Sequence, residues 1–327
     1  MTNSLPSFVP SQAISEGTPT VLFSIGSWTM NVYSLCILLG FTCSILTAAY
    51  FWKREKYPFE ILLTLIIITV PCAMIGARLG FIIERAIAGQ PLARWWAIWE
   101  GGLSIQYGII LATIADLIYV YTKRKVIDVR KAASYIIPTI LIGQFVGRWG
   151  NFSNHEVYGK IDWSGASSLM WGHTFASQMF ISDSVSEQLG LQGAYRYPLF
   201  LYEGLANLVG YLLIVWVLNL FNFTKPGASA GLYLLWYGLL RLVMEPLREE
   251  SYDVYKYLAV GFAVIGLLVF VYYQFFGLVE YKLKAEAKKP WTRTYEYANP
   301  ELYKAHVLAT SYKYNLLKMK TKLNKEN

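Results

Sequence analysis

Charge is scarce in this chain. Only 15% of its 327 residues are Asp, Glu, Lys or Arg, where a soluble domain carries roughly 25%. Cysteine and histidine are scarcer still, at three each. Cys36, Cys43 and Cys72 all fall inside apolar stretches, with no Cys-x-x-Cys pair and no pattern for a disulfide framework, so they read as packing residues. His155, His173 and His306 lack the spacing of metal ligands, and no metal site is expected. The chain has no phosphate-cradling Gly-rich loop and no internal repeat. Its first basic residue is Lys53, so the charged n-region of a signal peptide is missing.

What the chain does have is apolar length. It is 55% hydrophobic with a mean hydropathy of +0.36, and runs near 18 residues or longer read as membrane spans. The expected fold class is an all-α membrane protein. Seven spans are read at roughly 31–51, 58–82, 102–122, 132–148, 199–221, 229–246 and 255–279. The sixth is the most polar, with Arg241, Glu245 and Pro246. Residues 1–279 form the expected membrane-embedded catalytic domain. Its outer loop, 149–198, makes a small head region, and residues 280–327 form a basic cytoplasmic tail.

The net charge of +8 does not point to nucleic acid, because of where the charge lies. From Glu280 to Asn327 there are eleven Lys/Arg against five Asp/Glu, so this tail alone supplies +6. The other basic groups flank spans: Lys53, Arg54 and Lys56, then Lys123 to Lys125 with Arg130 and Lys131, then Lys225. Basic residues beside spans mark the cytoplasmic side and meet anionic lipid. Seven spans then place the N-terminus outside and the C-terminus inside. Trp95, Trp96 and Trp99 suit an aromatic belt at the outer face.

Polar residues inside spans are costly and therefore informative. Gly147 to Gly159 packs Arg148, Asn151, Asn154 and Glu156 into nine residues. An Arg fork suits a phosphate, and the glycines at 147, 150 and 159 permit close approach of a ligand. The same segment also reads as a structured loop anchored by an interfacial arginine. A second cluster runs from Tyr237 to Glu249. Tyr237, Arg241 and Glu245 are spaced i, i+4 and i+8, on one helical face, and Arg248 follows Pro246. A buried Arg241–Glu245 pair that merely joins helices is the competing reading. Three smaller features are Gly76-Ala77-Arg78, the Gly101–Gly108 stretch with Gln106, and Glu203 in Pro198–Glu203. Together these groups would lie at one level near the outer face, as a lipid headgroup site needs.

Gly147–Gly159 resembles the signature of the prolipoprotein diacylglyceryl transferase family, Gly-Arg-x-Gly-Asn-Phe-x-Asn-x-Glu-x-x-Gly, and meets every fixed position. The resemblance extends to Tyr33, Gly76-Ala77-Arg78, Gly101–Gly108, Pro198 with Leu201-Tyr202-Glu203, and Tyr237-Gly238 with Arg241, Glu245 and Arg248. It leaves the outer loop and the tail uncovered. It implies a seven-span enzyme of the bacterial inner membrane, with its site toward the outer leaflet. The implied donor is phosphatidylglycerol, the acceptor the lipobox cysteine of a prolipoprotein signal peptide, and the by-product glycerol phosphate. Arg148 and Arg241 would be the essential arginines. Tyr33, Arg78, Gln106, Asn151, Asn154, Glu156, Glu203, Tyr237, Glu245 and Arg248 would bind substrate.

One position departs from the family. Many members carry His where this chain has Gln106, and an amide cannot titrate. Either a base is not needed there or another residue, Glu156 or Glu245, serves. The expected reaction is alkyl transfer to a thiolate, with no cofactor. An anion or lipid transporter and a non-catalytic homologue are the competing readings. No paired half-structure of the transporter kind is evident.

Overall fold

The structure is a computed structural model that describes residues 6–26, 28–91, 94, 96, 102–249, 251, 253–284 and 293–311. Trp95, Trp99, Gly101 and much of the basic tail lie outside the described residues. The chain divides into two compact units. The first comprises Met1–Ala48, Ala133–Leu278 and Ala285–Tyr295; the second comprises Ala49–Ala132, Val279–Lys284 and Glu296–Asn327.

Five helical segments are long and apolar enough to cross a membrane: Val32–Arg54, Phe59–Ile87, Ile105–Lys123, Leu199–Asn219 and Asp253–Phe276. The first three are α1, α2 and α3. Ile67 on α2, Leu117 on α3 and Leu268 on Asp253–Phe276 are all exposed. Such apolar bands would be a liability in water and are the expected surface in lipid. The protein is thus a multi-pass membrane protein.

The other two expected spans are helical but shorter. Residues 132–148 do not form one helix. Pro138 has no N–H to donate, and the segment breaks into α4 (Val129–Ile136), a single 3-10 turn (Ile137–Thr139) and α5 (Ile140–Ser153). The sixth is α10 (Ala228–Met244), with Arg241 in its last turn. Pro246 ends it: Glu245–Leu247 form a 3-10 turn and Arg248 is extended.

In the first unit, small residues let helices approach closely, as bilayer packing favours. A Cβ on Gly40 of α1 would lie 2.9 Å from the Gly143 carbonyl of α5. α10 lies against α11 (Asp253–Val271), where a Cβ on Gly238 would meet the Ala263 nitrogen at 2.5 Å. α9 (Leu199–Tyr211) packs on α5 and continues as a π-helical stretch to Asn219.

The head region departs from the all-helical expectation. Between α5 and α9 lie α6 (Ala166–Leu169), α7 (His173–Gln178), β4 (Phe180–Ser182), α8 (Ser184–Gln188) and β5 (Ala194–Tyr195). The N-terminal segment supplies β1 (Ile14–Ser15), which pairs parallel with β4 to give the order β1-β4-β5, and a hairpin of β2 (Val21–Ile25) and β3 (Trp28–Asn31). Strands this short carry too few residues for a period of two to show in sequence. Tyr158, Met179, Ile181, Phe200 and Leu201 form the apolar core under the head.

The second unit pairs α2 with α3 through the same small-residue device: a Cβ on Gly76 would lie 2.6 Å from the Tyr107 carbonyl. Asp116, within α3, accepts from the Thr69 hydroxyl at 2.9 Å. The tail returns through β6 (Tyr281–Lys284) and β7 (Thr294–Tyr297) to α12 (Pro300–Ala309). Tyr281 donates to Asp128 at 2.5 Å, and Tyr303 donates to the Arg124 carbonyl at 3.1 Å.

Candidate functional site

The first unit gathers ten of the twelve expected site residues. Its hub is Glu203, one turn into α9 and 1% exposed. Three guanidiniums converge on this carboxylate. Arg148, in the last turns of α5, pairs with Oε2 through Nη2. Arg248 Nη2 donates to Oε1 at 2.8 Å, and Arg241 Nη1 lies 3.9 Å from the same oxygen. Glu245, also 1% exposed, lies 2.9 Å from Arg241 Nη2 and 3.8 Å from Arg248 Nε. Removing one partner of such a buried pair leaves a bare charge and costs on the order of 3–5 kcal/mol.

The carboxylates are beneath and the cations above. The side chains of Arg148, Arg241 and Arg248 are 22%, 17% and 21% exposed. Three guanidiniums lie over the two buried carboxylates of Glu203 and Glu245. Arg148 Nε and Arg248 Nε are buried without a hydrogen-bond partner among the described residues.

Asn151, Asn154 and Glu156 extend the network. Arg148 Nη1 donates to Asn151 Oδ1 at 3.1 Å. Asn151 and Asn154 then donate to the two oxygens of Glu156 at 3.4 and 3.3 Å. Tyr33 sits where α1 crosses α5: a Cβ on Gly150 would lie 3.0 Å from its ring. Its phenol is within electrostatic reach of both Glu156 and Arg148. Tyr237 stacks on Tyr233 and lies within electrostatic reach of Arg148.

Backbone contacts explain the end of the signature segment. Gly159 forms a β-bridge with Arg248, and a Cβ there would be 2.8 Å from the Leu247 carbonyl. The glycine admits a strand carrying Arg248, and so joins the two sequence clusters. Two residues before it, Val157 takes φ +57°. A β-branched residue is rarely found in that left-handed region, so backbone strain is held beside the site.

Arg78 and Gln106 belong to the second unit. Arg78 is 3% exposed and donates to the carbonyls of Gly102 at 3.2 Å and Arg94 at 2.5 Å. Gln106 is exposed at the start of α3. No group of three or more His, Cys, Asp or Glu able to hold a metal occurs among the described residues.

Sequence reasoning missed a second ionic centre, in the head. Arg196 is fully buried, donates to Asp183 at 2.6 Å and pairs with Glu249. Burial opposes the charge on Asp183, but the Ser186 backbone N–H and Arg196 outweigh it and hold this carboxyl below its ordinary range. Tyr158 lies beside Asp183 and Glu16, and burial and these carboxylates push its pKa up. Nothing in the sequence marks Arg196 except a lone charge just before an apolar run.

The family model for prolipoprotein diacylglyceryl transferase matches residues 20–272. A protein of Mycoplasmopsis pulmonis named phosphatidylglycerol–prolipoprotein diacylglyceryl transferase is 49% identical over 263 residues, 79% of this chain and 80% of its own length. Proteins of the same name from Streptococcus pneumoniae and Streptococcus equi subsp. zooepidemicus are 31% and 32% identical, each over 77% of this chain and 93% of their own length. With that extent of match, and with Arg148, Asn151, Asn154 and Glu156 of the signature joined in one polar network, the chain belongs to the prolipoprotein diacylglyceryl transferase family.

Proposed function

We propose that this enzyme transfers the diacylglyceryl group of phosphatidylglycerol to the lipobox cysteine thiol of prolipoproteins. The observation that carries the reading is the convergence of Arg148, Arg241 and Arg248 on Glu203. The phosphodiester of the donor bears one negative charge, which guanidinium forks are suited to bind.

The acceptor sulfur attacks the glycerol carbon that bears the phosphate ester. A C–S bond forms as the C–O bond breaks, and the electron pair leaves with the phosphate as glycerol phosphate. The thiolate is the attacking form, and a free thiol has a pKa near about 8.5. The positive cluster favours thiolate formation and meets the charge that develops on the leaving phosphate. Preorganised donors in a water-poor site contribute on the order of 3 kcal/mol each. Glu203 fixes the forks before substrate arrives. Glu156 and Glu245 are the carboxylates placed to take the thiol proton. Asn151, Asn154, Tyr33 and Tyr237 line the site, while Arg78 and Gln106 enter the proposal through the family resemblance alone.

Residues 1–279 act as one catalytic membrane domain of seven spans, the five long helices joined by 132–148 and α10. The N-terminus and head lie outside, and the tail from 280 lies in the cytoplasm. Support comes from the basic residues that flank α1, α3 and α11. Two experiments test these statements. Purified protein supplied with labelled phosphatidylglycerol and a lipobox peptide should form the thioether, whereas a transporter or an inactive homologue gives none. In intact cells, single cysteines at Lys125 and Lys284 should resist membrane-impermeant reagents while one at exposed Met170 reacts; labelling at Lys284 would overturn the cytoplasmic tail.

A further inference from the structure

The second unit carries a cleft of its own. It has a volume of about 410 Å³, opens at the turn from α1 to α2, and is lined by Ala49, Tyr50, Lys53, Lys56, Tyr57 and Phe59. That volume lies within the range of ligand pockets, roughly 300–1,000 Å³. Two of the side chains bring charge and three bring rings. Lys53 is in the last turn of α1, Lys56 lies two residues beyond its end, and both are exposed. Tyr50 and Phe59 are also exposed. Along α2 the face of Phe59 continues through Leu63 and Ile67, at i+4 and i+8, both exposed.

The carboxylates of this region are matched by other cations. Glu55 pairs with Lys131 and lies 4.0 Å from Arg54 Nη2. Asp128 pairs with Arg130 at 3.2 Å and accepts from Tyr281. Glu60, in the first turn of α2, is exposed and does not line the cleft. Lys53 and Lys56 form no ion pair among the described residues. A helix C-terminus favours cations, and basic residues flank spans in general. Those effects account for Lys53 but not for the conformation of Lys56. Its φ is +57°, in the left-handed region. The Lys56 and Tyr57 N–H groups donate to the Lys53 and Trp52 carbonyls at 3.1 and 3.2 Å, the two bonds of a Schellman turn. Glycine is the usual residue at that position, because a Cβ there crowds the following carbonyl. A lysine accepts this strain and sets its ammonium on the cleft.

We propose that this cleft binds an anionic glycerophospholipid of the surrounding bilayer, its phosphate between Lys53 and Lys56 and an acyl chain along Phe59, Leu63 and Ile67. The lipid is a resident of the structure and not the donor of the reaction, since no residue of the arginine cluster lines the cleft. The topology proposed above places it in the cytoplasmic leaflet; the binding itself needs only that the chain spans a bilayer. A phospholipid is the occupant that uses both surfaces. Inorganic phosphate would meet the ammoniums and leave the apolar face of α2 uncovered. A zwitterionic lipid would bring an ammonium of its own against two lysines. Tyrosine rings with a polar tip suit the level of the headgroups. Lysine suits the task as well: it meets a phosphate as a point charge from any direction, which a mobile lipid headgroup requires.

Native mass spectrometry of the full-length protein in neutral detergent counts the lipids it keeps. Dioleoyl phosphatidic acid and dioleoyl phosphatidylcholine are the probes, titrated against the wild type and a Lys53→Gln/Lys56→Gly variant. The wild type should retain one more phosphatidic acid than the variant, with affinity at that site roughly 30-fold higher, about fivefold for each lysine. Retention of phosphatidylcholine should be the same in both. Lys56→Gly alone separates a ligand from a merely structural lysine. Glycine relieves the strained turn, so the lipid-free protein should melt no lower than the wild type, while the rise in thermal midpoint on adding phosphatidic acid shrinks. Inorganic phosphate should shift the midpoint of the wild type and of Lys56→Gly equally, because binding at the arginine cluster is untouched. Equal retention of phosphatidic acid by wild type and double variant would overturn the site. A phosphate shift that depends on Lys56 would overturn the lipid and leave a free anion in its place.

Discussion

Arg148 and Arg78 look alike in sequence. Each follows a glycine-containing step near the end of an apolar helix, and each is expensive to place there. In the first unit Arg148 is gripped along one edge by the buried carboxylate of Glu203, with part of its side chain exposed. In the second, Arg78 is nearly inaccessible, and its fork ends on two backbone carbonyls, those of Gly102 and Arg94. A carboxylate orients a guanidinium and leaves other N–H groups for a ligand. Carbonyls at the end of both terminal nitrogens engage both arms of the fork. The difference separates an arginine oriented by a carboxylate from one that donates to two backbone carbonyls.

The largest effect should come from removing the fork while keeping the charge. Arg148→Lys and Arg241→Lys should reach the membrane in normal amount and lose transfer activity by on the order of 100-fold, or about 3 kcal/mol of transition-state stabilisation. Initial rates at equal abundance measure it, and full activity in either variant removes that residue from the phosphate clamp. A smaller effect is expected at Gly159, where an added methyl meets the Leu247 carbonyl. Gly159→Ala should displace the strand carrying Arg248, with a rate loss of roughly 10-fold and a thermal midpoint lowered by an overpacking cost of about 1–3 kcal/mol. Normal kinetics in a stable Gly159→Ala protein would show that Arg248 does not need that strand.

The smallest effects should lie in the second unit. Arg78→Lys can still donate to carbonyls, so its rate should stay within about threefold of the wild type. A loss comparable to that of Arg148→Lys would erase the contrast between the two arginines. Gln106→Ala should likewise retain appreciable activity, and Gln106→His should raise it by no more than about threefold, because no base is needed at that position. A large gain with histidine would mean that the mechanism lacks its base.

Most long helices could be read directly, because a run of about 20 apolar residues has few alternatives to a span. Residues 132–148 misled as a single helix: their hydropathy is high enough, but Pro138 interrupts the hydrogen-bond ladder. The head's strands were invisible because β1 has two residues and finds its partner in β4, more than 160 positions away. The Arg241–Glu245 pair was legible from its i, i+4 spacing and is present at 2.9 Å. The role of Glu203 was not, since three arginines reach it from 38 to 55 positions away.

The sequence by itself determined that this is a multi-pass membrane protein of the prolipoprotein diacylglyceryl transferase family. Hydropathy sets spans locally, and the signature's residue types sit within thirteen consecutive positions. Only the tertiary structure decided that Glu203 joins Arg148, Arg241 and Arg248, that Gly159 admits the extended backbone at Arg248, and that Glu16 and Asp183 line one cavity with Arg241. Those are contacts between elements distant in the chain, and their geometry follows from how helices and strands pack, which no local pattern encodes.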